Sequence, residues 1–141
     1  MTYQPTMWFN GWIITMQITN NLTLVDEVFK WNTIAENTNY NRHLEASMAI
    51  EEFSELIIAL KNKDKQEILD AFADINWVVI GTMMKFWITK EEIHKTLLSV
   101  KNSNFSKFID MWDWTYTVLR DDTGKILKPD SFKEPDFSFL Q

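Results

Sequence analysis

Apolar positions recur at helical spacing through most of the chain. Around residues 22–37, Leu24, Val28, Trp31 and Ala35 fall on one side after the candidate caps Asn21 and Thr23, which predicts a first helix. The polar run NTNYNR, 37–42, reads as a loop, and a second helix is expected from about Leu44 to Lys61. A KNKD turn, 61–64, follows it. Asp64 and Glu67 then stand three apart, as in a capping box, and open a third helix that extends to about Phe86. Between Ile75 and Met84 this helix carries no charge, so the segment is expected to be buried nearly all round. Thr89 and Glu92 repeat the capping pattern ahead of a fourth helix reaching about Val100. Beyond residue 107 the period changes. Trp112, Trp114, Tyr116 and Val118 alternate with Asp113, Thr115 and Thr117, which predicts a strand. The turn RDDTGK, 120–125, would return the chain through KILK as a second strand before a Pro-containing tail. The expected fold is all-α and four-helix-bundle-like. It forms a single domain over 1–141, with the bundle at about 22–107 and a C-terminal hairpin or extended tail at 108–141.

Composition narrows the function classes. A chain of 141 residues has room for one domain with a sizeable core, and 45% hydrophobic residues with only 3 Gly and 3 Pro make it globular. Its formal charge of −6 argues against a basic face for nucleic acid. The absence of Cys excludes disulfides, thiolate zinc sites and cysteine nucleophiles, and His43 and His94 are the only histidines. The start MTYQPTMWFNGWII has no basic leader, and its apolar run is too short and interrupted for a membrane span, so a cytoplasmic protein is expected.

The acidic residues carry the candidate chemistry. On a helical wheel Ile50, Phe53, Leu56, Ile57 and Leu60 share one broad face of the second helix, which is expected to be its core side. Glu51, Glu52 and Glu55 form a neighbouring stripe, but Met48 and Ala59 fall inside it and Ile58 borders it. In the third helix Asp70 and Asp74 are one turn apart, with Trp77 and Gly81 continuing their line. Two helices joined by so short a turn are antiparallel neighbours, so Glu52 and Glu55 can face Asp70 and Asp74. Like charges four apart repel, and an unpaired buried carboxylate is strongly disfavoured, so the cluster calls for a counter-charge. With no Cys and few Arg at hand, a hard divalent cation such as Mg²⁺ or Mn²⁺ meets that demand through carboxylate oxygens. Set against this, EExxE on a helix is usually only a solvated face, and Glu67 reads better as a cap than as a ligand. Glu91 and His94 form one ExxH where a four-helix di-iron site needs two, so chance is the better account of that pair.

Residues 51–84 resemble the all-α nucleotide pyrophosphohydrolases: the MazG-like proteins, phosphoribosyl-ATP pyrophosphohydrolase and the dimeric dUTPases. Members carry EExxE on one helix, here EEFSE at 51–55, and an acidic ExxD on the next. Phage-encoded members look closest, because an apolar run ending in GT follows their second motif as Gly81-Thr82 do here. The resemblance implies Glu52 and Glu55 as metal ligands, Glu51 as the flanking acid and Asp74 as the Asp of the second motif. It therefore implies Glu51, Glu52, Glu55 and Asp74 as the catalytic set. The Glu of ExxD falls on Ala71, and the adjacent Asp70 is expected to replace it as the remaining ligand. VKNSNFSK, 100–107, is similar to a segment of the phage-type relatives, which implies Lys101, Asn104 and Lys107 as contacts to substrate phosphates. As helix C-terminal cations, Lys101 and Lys107 have an equally good structural account.

The implied activity is hydrolysis of a nucleoside triphosphate between the α- and β-phosphates, giving monophosphate and pyrophosphate. Charge supports a cation independently, since a triphosphate would be expelled by four carboxylates without bridging Mg²⁺ or Mn²⁺. A purine deoxynucleotide such as dGTP is the expected substrate, with dUTP or dCTP as the pyrimidine alternatives. Trp31, Trp112, Trp114 and Tyr116 are able to stack on a base, although packing is the stronger reading of such a row. A homodimer or homotetramer is expected, because four short helices cannot cover all this apolar surface within one subunit; Trp8, Phe9 and Trp12 would add to the interface. No nucleic-acid or membrane partner is expected, and the compartment would be the host cytoplasm for a phage-encoded chain. The competing reading is a non-catalytic helical module that retains the fold, for which Ala71 would mark lost catalysis.

Overall fold

The computed structural model describes residues 24–111 and 115–140. Trp8, Phe9, Trp12, the candidate caps Asn21 and Thr23, and Trp112 and Trp114 of the expected strand lie outside them. Four helices and a short antiparallel strand pair stand within them, so the fold is all-α. Helix α1 covers 24–34 of the described residues. Its buried line is Val25, Val28 and Asn32, and Trp31 is half exposed.

Helix α2, Arg42–Asn62, starts behind Asn41, whose side-chain oxygen accepts the backbone N–H groups of His43 and Leu44. It stops at Lys63, which turns left-handed at φ 56° and donates its N–H to the carbonyls of Ala59 and Leu60. The carboxylate of Asp64 then accepts the N–H groups of Gln66 at 3.0 Å and Glu67 at 3.2 Å, which starts α3, Lys65–Lys85. Asp64 gives its own N–H to the Ala59 carbonyl. The reciprocal leg expected from Glu67 is thus replaced by a backbone bond, and an N-terminal cap still holds the turn. Helix α4, Lys90–Phe105, runs a turn beyond the expected end near Val100, since no Gly or Pro interrupts KNSNF.

The expected strand at 112–118 pairs differently from the sequence reading. Strand β1, Ile109–Asp110, pairs with β2, Tyr116–Thr117, with Ile109 opposite Thr117. Towards KILK only one bridge forms, between Arg120 and Ile126. Asp121 closes that turn by accepting the Thr123 N–H and hydroxyl and the Lys125 N–H, and Gly124 supplies the positive φ of 85°. Pro129, which has no N–H to donate, follows within three residues and ends the ladder.

Two compact units meet in the chain at Lys90 and Glu91. In the first, α2 and α3 are packed neighbours. Their contact corrects the sequence reading of α2. The stripe expected to be its core side is open except at Leu56, with Ile50 and Ile57 each 66% exposed, Phe53 50% and Leu60 54%. The buried and half-buried stripe holds Glu45, Met48, Ala49, Glu52, Leu56 and Ala59. Small residues let two helices close up, and Ala59 and Ala71 are both buried here, whereas a row of large side chains would hold them apart. Likewise Ile75–Met84 is mostly half-buried, with only Gly81 fully enclosed. No helix among the described residues is long and apolar enough to cross a membrane.

Candidate active site

The short turn at Lys63 and Asp64 makes α2 and α3 antiparallel, and a polar contact at the far end fixes how they face each other. Glu45, near the start of α2, accepts the Lys85 ammonium on Oε1 at 2.9 Å and the Thr82 hydroxyl on Oε2 at 2.8 Å. Two helical turns along α2 from Glu45 stands Glu52, and two turns back along α3 from Thr82 stands Asp74. The antiparallel arrangement therefore brings Glu52 and Asp74 to the same level.

Glu52 is the half-buried member of this acidic face, while Glu51, Glu55, Asp70 and Asp74 are exposed. Burial pushes its carboxyl above the usual glutamate range, and the charges of Asp74, Glu55, Glu51 and Asp70, in that order, push it further. All four of these charges are negative. Its Oε2 atom is buried without a hydrogen-bond partner among the described residues. A carboxylate oxygen left without a partner near four like charges is costly by roughly 1–3 kcal/mol, and either a proton or a bound cation relieves it. Carboxylate oxygen is the donor type that a hard divalent ion prefers. Among the described residues no three His, Cys, Asp or Glu side chains stand together as a group able to hold a metal ion.

Ala71, at the position where the second motif calls for Glu, is buried, and neighbouring Asp70 contributes the weakest of the four charges on Glu52. Asp74 contributes the strongest. Beyond it on α3, Trp77 meets Trp31 of α1 edge to face at 5.9 Å between ring centroids. One turn further, Gly81 admits the buried amide of Asn32, which donates to the Val28 carbonyl and accepts from Asn37. Helix α1 is thus seated along the same line of α3 that carries Asp70 and Asp74.

The expected phosphate contacts belong to the second unit. Lys107 donates to the Asn104 side chain at 2.8 Å and lies 5.9 Å over the Phe132 ring, and Lys101 is half-buried on α4. The tail passes close by, with Ser106 accepting the Lys133 N–H and Ser99 donating to the Asp136 carbonyl. Glu91, half of the isolated ExxH, pairs with Lys95 one turn on. Tyr116 is exposed in β2 and its ring meets Phe108 edge to face at 6.2 Å between centroids.

Sequence reasoning passed over Glu45, Thr82, Lys85 and Asn32. A signal existed for Glu45, which stands seven residues ahead of Glu52 and so on the same stripe. Lys85 gave none, since a lysine in the last turn of a helix is ordinarily a solvated cation.

The family model for phosphoribosyl-ATP pyrophosphohydrolase matches residues 25–101, a span that includes α2, α3, most of α4 and residues 25–34 of α1. Neither a curated protein nor a solved structure matches the chain.

Proposed function

Because the chain belongs to the phosphoribosyl-ATP pyrophosphohydrolase family, within the MazG-like all-α pyrophosphohydrolases, we propose that it hydrolyses a nucleoside triphosphate to the monophosphate and pyrophosphate. Membership implies pyrophosphohydrolase chemistry on a nucleotide in general. The observation that supports a cation-dependent site on this chain is the orphaned Glu52 Oε2 among four negative neighbours. In this reading Glu52, Glu55, Asp70 and Asp74 hold Mg²⁺, or Mn²⁺ in its place. The ion, when bound, supplies charge neutralisation for the triphosphate and for the charge that develops at the reacting phosphorus.

The residues do the remaining work. A water oxygen adds to the α-phosphorus as the bond to the bridging β-oxygen breaks, and pyrophosphate leaves with the bonding pair. The proton from that water passes to a carboxylate of the set Glu51, Glu52, Glu55 and Asp74. Lys101, Asn104 and Lys107 are assigned phosphate oxygens on their donor chemistry. The preferred substrate is a purine deoxynucleotide such as dGTP, with dUTP and dCTP as alternatives.

A panel of common NTPs and dNTPs with Mg²⁺ or Mn²⁺, resolved for mono-, di- and pyrophosphate, tests the reading. Monophosphate with pyrophosphate from one or two nucleotides is the expected result. The buried Ala71 favours one other reading, a helical module without turnover. Glu55→Gln and Asp74→Asn separate the two. An enzyme loses at least a hundredfold in kcat with its melting temperature held, whereas a scaffold shows no turnover to lose.

The assembly proposed is a homodimer or homotetramer closing over the open stripe of α2. Ile50, Phe53, Ile57 and Leu60 are exposed there, and Leu69 and Phe72 are exposed on α3. An apolar area of this kind on a helix pair favours a second copy.

A further inference from the structure

The interior of the α2–α3 pair holds one full ion pair that the proposed chemistry does not use. Glu45 and Lys85 are each only 3% exposed. Both carboxylate oxygens of Glu45 are committed, one to Lys85 and one to Thr82. Such a pair is a poor source of stability, because removing two charges from water offsets most of their attraction, and apolar residues of similar volume usually serve as well or better. Its value lies in geometry. Any displacement of α2 on α3 would leave two buried charges without partners.

Position in the hairpin gives this geometry a purpose. At one end α2 and α3 are pinned by the turn at Lys63 and the Asp64 cap. Among the described residues, the only fully buried apolar side chains of the two helices are Ala59, which lies next to the turn, and Ala71, and such small side chains interlock little. A hairpin pinned only at its turn is free to splay and to rotate at the open end. Glu45 and Lys85 lie at that open end, Lys85 being the last residue of α3. Glu52 and Asp74 stand between the two pins.

We propose that the Glu45–Lys85–Thr82 clasp is a positioning device that sets the crossing angle and register of α2 on α3, and so holds Glu52 opposite Asp74. The proposal rests on the carboxylate-site reading for its functional consequence, while its structural half is measurable without that reading.

The chain has no Cys, so Ser47→Cys and Ala73→Cys, both at exposed positions on α2 and α3, take spin labels cleanly. Distances are measured by pulsed electron resonance with excess unlabelled chain added to suppress signals between copies. The variant Glu45→Leu with Lys85→Met removes the charges and keeps apolar bulk. The expected result is a melting temperature at or above that of the unaltered chain, a shifted or broadened distance distribution, and an affinity for Mn²⁺ alone reduced at least tenfold. Lys85→Arg, which keeps the positive charge and a donor to Glu45, is expected to retain the narrow distribution. An unchanged distribution with Mn²⁺ affinity within twofold would overturn the proposal. Loss of folding in the apolar variant would overturn it too, because the pair would then serve stability rather than position. Absence of Mn²⁺ binding in the unaltered chain, with the distance shift still present, would sink the site reading and leave the clasp standing.

Discussion

Glu52 combines three properties that seldom meet in one side chain: partial burial, a carboxyl raised by burial and by four acidic neighbours, and an oxygen without a partner. The sign of its effect on stability follows from linkage. A carboxyl raised in the folded state binds its proton more tightly there than in the unfolded chain. Its favourable contribution is complete below the ordinary glutamate value of 4.5 and is lost as the pH rises through the raised value. Above the raised value the ionised Glu52 therefore opposes folding. Glu52→Gln is expected to raise the melting temperature at pH 7, to change it little at pH 4, and to abolish turnover. Thermal melts of both proteins at the two pH values check this, and equal shifts at both would refute the assignment. Added Mg²⁺ is expected to raise the melting temperature of the unaltered chain at pH 7 and to do so far less in the variant, since the ion removes the same repulsion.

At the scale of the element, the seat of α1 on α3 depends on one close approach. A Cβ added at Gly81 would lie 3.2 Å from the Asn32 side-chain nitrogen, tighter than ordinary contact. Alanine in a helix interior gains roughly 0.5–1 kcal/mol over glycine, so space alone decides the sign here. Asn32 is held at both ends, by the Val28 carbonyl at 2.9 Å and the Asn37 amide at 2.8 Å, and has little freedom to retreat. Gly81→Ala is expected to destabilise the chain by about 1 kcal/mol, in the range of ordinary overpacking. In an Asn32→Ala background the same change is expected to become neutral or stabilising, and denaturant unfolding of the four proteins measures the coupling. Additive effects would show that Asn32 does not set the limit.

For the whole molecule, the large apolar side chains that the α2–α3 contact leaves out are the main clue. Ile50, Phe53, Ile57 and Leu60 follow one another at helical spacing and are all at least half exposed. In the proposed assembly this stripe meets a second copy. Ile57→Lys is therefore expected to shift the particle mass towards the monomer in light scattering after size exclusion. Because Ile57 lies off the buried stripe that carries Glu52, the helical far-UV signal should survive. An unaltered mass would remove this stripe from the interface.

Much of this architecture was legible in the chain itself. The helix spans, the Asp64 cap and the two acidic motifs rest on local rules: side-chain period, hydrogen bonding to the first free N–H groups, and spacing along one helix. Those rules act within a few residues and do not depend on what packs against them. The facing of α2 was not legible. A wheel finds stripes but does not say which one meets the neighbouring helix, and the broadest apolar stripe lost to a mixed one in which Ala49 and Ala59 permit close approach. The pairing of β1 with β2 was missed for a related reason, because alternation marks a strand without naming its partner. Only the tertiary structure brought Lys85, at the far end of another helix, onto Glu45, and left one oxygen of Glu52 buried without a partner. Burial and partnership arise between segments distant in the chain, where no local pattern records them.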